Sequence, residues 1–137
     1  MHKKIKLYSD GGARGNPGPA GIGAVLKDEE NKTVEKVSEY IGDATNNQAE
    51  YRALIAGLEK AKEIGAEEVD CFLDSELVVK QMRREYRVKD KNLALLFTKV
   101  LNLGMGFKKI SYTHILRQYN QEADKLVNEA IDRGIRN

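Results

Sequence analysis

The sequence predicts an α/β domain: a mixed five-stranded sheet with helices on both faces. Three observations carry this expectation. Segments of strand and helix patterning follow one another in the order β-β-β-α-β-α-α-β-α. A polar turn at Asp28–Asn31 joins two early strands as a hairpin, so the first three strands form an antiparallel meander. The later strands are separated by helices, and a strand–helix–strand connection favours parallel pairing through a right-handed crossover.

Each element has a local reason. Lys4–Asp10 reads as the first strand, with Ile5 and Leu7 on one face. Six glycines and two prolines then fall within Gly11–Gly23, a composition that interrupts regular structure. Ala20–Lys27 is the second strand, made mostly of small and aliphatic residues. Thr33–Ile41 is the third, with Val34 and Val37 offset from strict alternation. Thr45 and Gln48 form a T-x-x-Q capping box that opens a helix. Leu54, Leu58 and Ala61 recur at helical spacing, and Gly65 ends that helix. Glu68–Asp74 is the fourth strand. Ser75 caps a short helix over SELVVKQMRR, and a longer one follows over KDKNLALLFTKVLNLG, stopping at Gly104. Phe107–Thr113 is the fifth strand. The last helix is capped by Asn120 and stopped by Gly134.

Bulk properties narrow the class. A chain of 137 residues suits one domain, residues 1–137, with a core large enough to need no staples. With 41% hydrophobic and 32% charged residues, the composition is that of an ordinary globular protein. The net charge of +2 means that a nucleic-acid surface must come from local clustering. Cys71, the one cysteine, lies in an apolar run, which excludes an intrachain disulfide and a cysteine-based zinc site. A buried, reduced Cys71 fits a cytoplasmic compartment. The start MHKKIKLYSD carries no signal-peptide core, with His2 read as disordered terminus, and no run is long enough to span a membrane.

The chemistry points to acids. Asp10 ends the first strand and an acid, Asp70 or Asp74, lies in or at the end of the fourth. If those strands are parallel neighbours, the carboxylates meet at the crevice beyond the strand ends, where open α/β sheets place ligands. Glu50, in the second turn of its helix, and Asp124, near the start of the last one, can project into the same crevice. Converging carboxylates repel unless they share protons or bind a hard cation. An all-oxygen donor set suits Mg²⁺, and two ions about 4 Å apart would clamp a phosphodiester. Taken singly, most acids are surface charges, and Asp74, Glu50 and Asp124 also suit the first turns of helices; Asp10, at a strand end, is the least ordinary of them.

Four blocks, YSDGGARGNPGP, TNNQAEYRAL, DSELVVKQM and NQEADKLVNEA, resemble in this order the motifs of type 1 ribonuclease H. The resemblance runs from Lys4 to Gly134 and implies the ribonuclease H-like fold. It also implies endonucleolytic cleavage of the RNA strand of RNA–DNA hybrids with two Mg²⁺ ions, Mn²⁺ as substitute, leaving a 5′-phosphate and a 3′-hydroxyl. It places the catalytic and metal-binding acids on Asp10, Glu50, Asp74 and Asp124, choosing Asp74 over Asp70 because of Ser75. By the same resemblance Asn16, Thr45 and Asn46 hold the DNA strand, while Asn47 and Gln48 line the groove. Gly11 lets the backbone approach a ribose closely.

The chain also departs from the family pattern. Lys80–Lys91 holds six basic and two acidic residues, but the connection is short, so the chain resembles the compact subgroup without a basic protrusion. That predicts weaker, more salt-sensitive hybrid binding. Many members carry a His before the last acid. Here His114 falls at a strand end and reads as structural, whereas Arg117 lies in the loop and can stabilise leaving-group charge. Glu76 stands where several members have an amide. Double-stranded RNA as a further substrate, a non-catalytic hybrid-binding module, and another nuclease or strand-transfer enzyme of this fold are the alternatives. Nothing in the sequence demands more than a monomer.

Overall fold

The computed structural model describes residues 3–136; His2 lies outside them. The elements are β1 (Lys4–Ala13), β2 (Gly18–Lys27), β3 (Thr33–Ala44), α1 (Asn46–Glu63), β4 (Glu68–Leu73), α2 (Glu76–Met82), α3 (Lys91–Gly104), β5 (Lys109–His114) and α4 (Gln121–Ile135). A single 3₁₀ turn, Arg117–Tyr119, precedes α4. The sheet order is β3-β2-β1-β4-β5. β1, β2 and β3 pair antiparallel, and β4 and β5 join in parallel, as expected.

The glycine-rich stretch behaves differently from the expectation. β1 does not end at Asp10 but runs on through Gly11 and Gly12 to Ala13, paired with β2 as far as Ala13–Ala20. Only residues 14–17 turn, closed by Arg14 N donating to Pro19 O at 2.8 Å. Gly11, Gly21 and Gly23 answer a packing demand, whereas Gly15, at a φ of 102°, serves the turn. A Cβ on Gly11 would strike the backbone of Ala49 in α1, and one on Gly23 would strike Ala123 O in α4. Gly11 and its neighbour Gly12, which lies against Val127 of α4, point to opposite faces. Thus α1 covers one face and α4 the other.

Smaller boundary shifts have local causes. β3 extends to Ala44, and a register shift at Leu26/Lys27, which skips Val34, explains why Val34 and Val37 break alternation; a second shift at Ala20/Gly21 skips Ile41. β5 starts at Lys109 instead of Phe107, because Phe107 turns into the core. α2 stops at Met82, and Arg84 adopts a φ of 64°. α3 begins at Lys91, with the Asp90 carboxylate accepting from Asn92 N and Leu93 N. α4 passes through Gly134, whose lack of a Cβ makes room for the Tyr40 ring.

The main core lies between the sheet and α1, backed by α3. Ile5, Leu7, Leu54, Leu58, Leu73 and Val100 are fully buried there. Each such side chain stabilises the fold by about 1.5–3 kcal/mol. Cys71 joins this core, and burial pushes its thiol up, so it stays protonated and inert. No helix among the described residues is long and apolar enough to cross a membrane.

Candidate active site

The site begins where β1 and β4 part. Their parallel ladder ends at the pair Ser9–Leu73. β4 stops there, while β1 continues beside β2 alone. Asp10 and Asp74 are the next residue on each chain, so the two carboxylates face each other across the fork. The apposition predicted from parallel neighbours is therefore present, although Asp10 sits inside a strand.

Glu50 reaches the fork from α1. The Thr45 capping box fixes the start of that helix: Gln48 N donates to Thr45 Oγ1 at 3.1 Å and Thr45 N donates to Gln48 Oε1 at 2.9 Å. Gly11 lets the first turns lie directly on β1, and Gly11 N donates to Glu50 Oε1 at 2.9 Å. One carboxylate oxygen from each of Asp10, Glu50 and Asp74 lies within 4.8 Å of the others. Asp10 and Glu50 are buried, Asp74 half-buried. Glu50 Oε2 is buried with no hydrogen-bond partner in the chain.

Burial raises the affinity of both buried acids for protons. Asp10 is pushed far above the usual carboxylate range, first by desolvation and then by the charge of Glu50, with Asp74 and Asp124 adding to it. Glu50 is also raised, mainly by desolvation, with the adjacent Asp10 carboxyl, Gly11 N and the charge of Arg117 opposing the rise. With no cation present, the pair retains a proton at neutral pH.

The fourth acid stands apart. Asp124, in the first turn of α4, lines the same crevice of ≈ 510 Å³ but is outside the close cluster of three. Its Oδ1 lies 3.7 Å from Arg117 Nη2, an exposed pair. Arg117 also lines the crevice. His114 does not: it ends β5 opposite Leu73, exposed, with Glu76 as its charged neighbour. Glu76 itself pairs with Lys80 at 3.0 Å.

The amides divide into two groups. Asn16 Oδ1 accepts from Asn46 N at 3.0 Å, and Asn46 Oδ1 accepts from Ala13 N at 2.9 Å, which ties the turn after β1 to the start of α1. With the amide oxygens engaged inward, the NH₂ groups are left as outward donors. Asn46 and Asn47 line the crevice beside Gly11. Gln48 lies instead in a separate recess with Arg52 and Asn92.

Sequence reasoning missed two polar residues lining the crevice. Arg14 pairs with Asp132 at 2.7 Å, and Asn128 sits one turn beyond Asp124. The i, i+4 spacing in the last helix was a usable signal for Asn128. Nothing in the pattern singled out Arg14. Asn120 precedes α4 as expected, yet its side chain makes no capping bond.

Residues 8–130 match the family described as reverse transcriptase-like. A bifunctional protein of Mycobacterium tuberculosis is 46% identical over 130 residues, covering 94% of this chain and 36% of that protein. Ribonuclease HI of Halobacterium salinarum is 43% identical over 129 residues, covering 94% of this chain and 65% of the enzyme. The chain thus spans about a third and about two thirds of these relatives. The crystal structure of RNase H1 from H. salinarum NRC-1 matches with a TM-score of 0.93 at 42% identity, covering 95% of this chain and 98% of that one. LC11-RNase H1, solved in complex with an RNA/DNA hybrid, matches with a TM-score of 0.92 at 47% identity, covering 96% and 99%.

Proposed function

The chain belongs to the type 1 ribonuclease H family, and from that premise we propose that it hydrolyses the RNA strand of RNA–DNA hybrids at the fork between β1 and β4. The observation that carries the proposal is the buried, partnerless Glu50 Oε2 beside the carboxylates of Asp10 and Asp74. A pure binding module gains nothing from three mutually repelling acids, two of them buried. A hard divalent cation satisfies all three, and a donor set of oxygens fits Mg²⁺ or Mn²⁺. Asp10, Glu50 and Asp74 would hold it, with Asp124 completing a second position. When bound, a pair of such ions supplies charge neutralisation and Lewis-acid activation at the phosphodiester.

The chain's own groups do the rest. Hybrid duplexes have a wide, shallow minor groove that exposes 2′-hydroxyls on one strand only. Glu50 sits at the groove floor, where its carboxylate can accept from a ribose hydroxyl. Gly11 and Gly12 line the crevice in which that strand would lie. The outward NH₂ donors of Asn16 and Asn46 suit a phosphate of the DNA strand, held at the start of α1, where the helix dipole favours an anion. Arg117 is placed to stabilise charge on the leaving group, and its exposure lets it follow the product out. The products on this reading are a 5′-phosphate and a 3′-hydroxyl.

The test offers four labelled duplexes: RNA–DNA, RNA–RNA, DNA–DNA, and DNA with one embedded ribonucleotide. Mg²⁺-dependent cutting of the RNA strand in RNA–DNA is the expected result. Cutting of DNA–DNA discards the ribonuclease reading, and equal cutting of RNA–RNA widens the substrate to double-stranded RNA.

A further inference from the structure

Asn120 is the residue that the patterning explains worst. As a helix cap its side chain would accept from a backbone N–H of the next turn. It makes no such bond. The side chain is buried instead, at 1% exposure, in the fork below the acids. Its Nδ2 donates to Ser9 O at 2.9 Å and to Asp74 Oδ2 at 3.4 Å. Two acceptors on that side fix the amide's orientation, since a flipped amide would set oxygen against two oxygens. Its Oδ1 is buried with no partner in the chain, and the hydroxyl of Ser9 is likewise buried and unpartnered.

The three attachments of Asn120 coincide with three of the four acids. Ser9 O belongs to the peptide that carries Asp10. The carboxylate of Asp74 is bonded directly. Asp124 N donates to Asn120 O at 3.1 Å, so the fourth acid hangs from the same residue through the first turn of α4. The fork has no strand partner to fill it, because β4 has stopped at Leu73. The Asn120 amide takes that place.

We propose that Asn120 is a positioning residue for divalent-cation binding. It holds Asp74 by one oxygen, leaves the other for the cation, and keeps the start of α4 in register with β1. The proposal rests on the hydrolase reading of the site. Groups that orient metal ligands through hydrogen bonds change metal affinity by about 10–100-fold when removed. Asn120 touches neither the RNA nor the DNA strand on this account, so it acts on cation affinity and turnover and not on the affinity for hybrid.

The experiment titrates Mn²⁺ calorimetrically into the hybrid-free protein and then measures steady-state cleavage across Mg²⁺ concentrations. Asn120→Leu removes the donor and the orphaned Oδ1 while keeping the branched shape of the side chain, though it is bulkier, and Asn120→Ser is the smaller alternative. The expected Mn²⁺ Kd rises by about tenfold or more. Cleavage falls at low Mg²⁺ and recovers at high Mg²⁺, with KM for the hybrid unchanged. Ser9→Ala, at the same buried junction, keeps the carbonyl that Asn120 uses and is expected to bind Mn²⁺ as the wild type does. If Asn120→Leu does not fold, Asn120→Ser is measured in its place. Unchanged Mn²⁺ affinity in the folded variant overturns the proposal, as does an equal loss in Ser9→Ala or failure of both Asn120 variants to fold. Absence of Mn²⁺ binding by the wild type overturns the metal reading of the site itself.

Discussion

Glu50 and Tyr51 are neighbours on α1, both buried, and both carry a polar group into the protein. Their surroundings differ in one respect. The Tyr51 hydroxyl donates to Gln81 Oε1 at 2.6 Å, and Gln81 in turn donates to Arg87 O at 3.4 Å. That chain of bonds is closed, and it pins the connection between α2 and α3 to α1. The Glu50 carboxylate is half-closed: one oxygen takes Gly11 N and the other has nothing. A buried polar group with its partners supplied is part of the architecture. A buried charge without them costs stability and marks a place held ready for something outside the chain.

The largest expected effect separates the two kinds of group by activity. Asp10→Asn is expected to lower Mg²⁺-dependent cleavage by about 10³-fold or more, the scale of losing a group that acts in the transition state. Hybrid affinity, measured by fluorescence anisotropy without cleavage, is expected to persist. Tyr51→Phe is expected to leave cleavage intact but to lower stability by about 1–3 kcal/mol in urea unfolding, because Gln81 loses its partner. Equal loss of activity in both variants would erase the distinction.

A second contrast concerns Arg117 and His114. Arg117→Ala is expected to slow turnover by about tenfold at saturating hybrid, and His114→Ala to change it by less than about twofold. If only His114→Ala slows turnover, the wrong residue of the loop has been assigned.

The stability of the cation-free protein should show the strain at Glu50 and Asp10. Both carboxyls bind protons more tightly folded than unfolded. In the window above the unfolded values near 4, the folded state therefore holds more protons, and stability falls as pH rises through neutrality. With one proton held across that window the expected loss is about 4 kcal/mol between pH 5 and pH 8 in EDTA, and it should shrink in Asp10→Asn. A stability that rises with pH over that window would contradict the assignment of raised acids. Thr45→Ala gives the smallest effect, about 1 kcal/mol from the lost cap, measured by the same unfolding curves.

Much of this was readable in the residues. The helix caps at Thr45 and Ser75, the hairpin turn and the parallel crossover are local signals, and they placed the strands in order. That order brought Asp10 beside an acid of the fourth strand and let Glu50 and Asp124 reach the same crevice, while the choice of Asp74 over Asp70 came from the resemblance to ribonuclease H. What local patterning hid were long-range packing demands. Six glycines in a row of thirteen residues look like a broken chain. Gly11 and Gly23 lie in two strands whose faces accept helices at backbone distance, against Ala49 and Ala123, and only the segment around Gly15 turns. Gly134 looked like a helix stop for the same reason and proved to be a seat for Tyr40. Asn120 looked like a cap because a cap and a buried tether use the same side chain; only the fork between β1 and β4 distinguishes them.

The central claim is that the fork is a cation site that destabilises the protein until it is filled. Its most direct test is the melting temperature of wild type and Asp10→Asn, each in EDTA and in millimolar Mg²⁺. In EDTA, Asp10→Asn is expected to melt about 5 °C above wild type, because the amide sits beside Glu50 without a proton, whereas the folded carboxyl must keep one that it loses in the unfolded chain. Mg²⁺ is expected to raise the wild type and leave the variant unmoved. A wild type indifferent to Mg²⁺, with Asp10→Asn melting no higher in EDTA, would contradict the account.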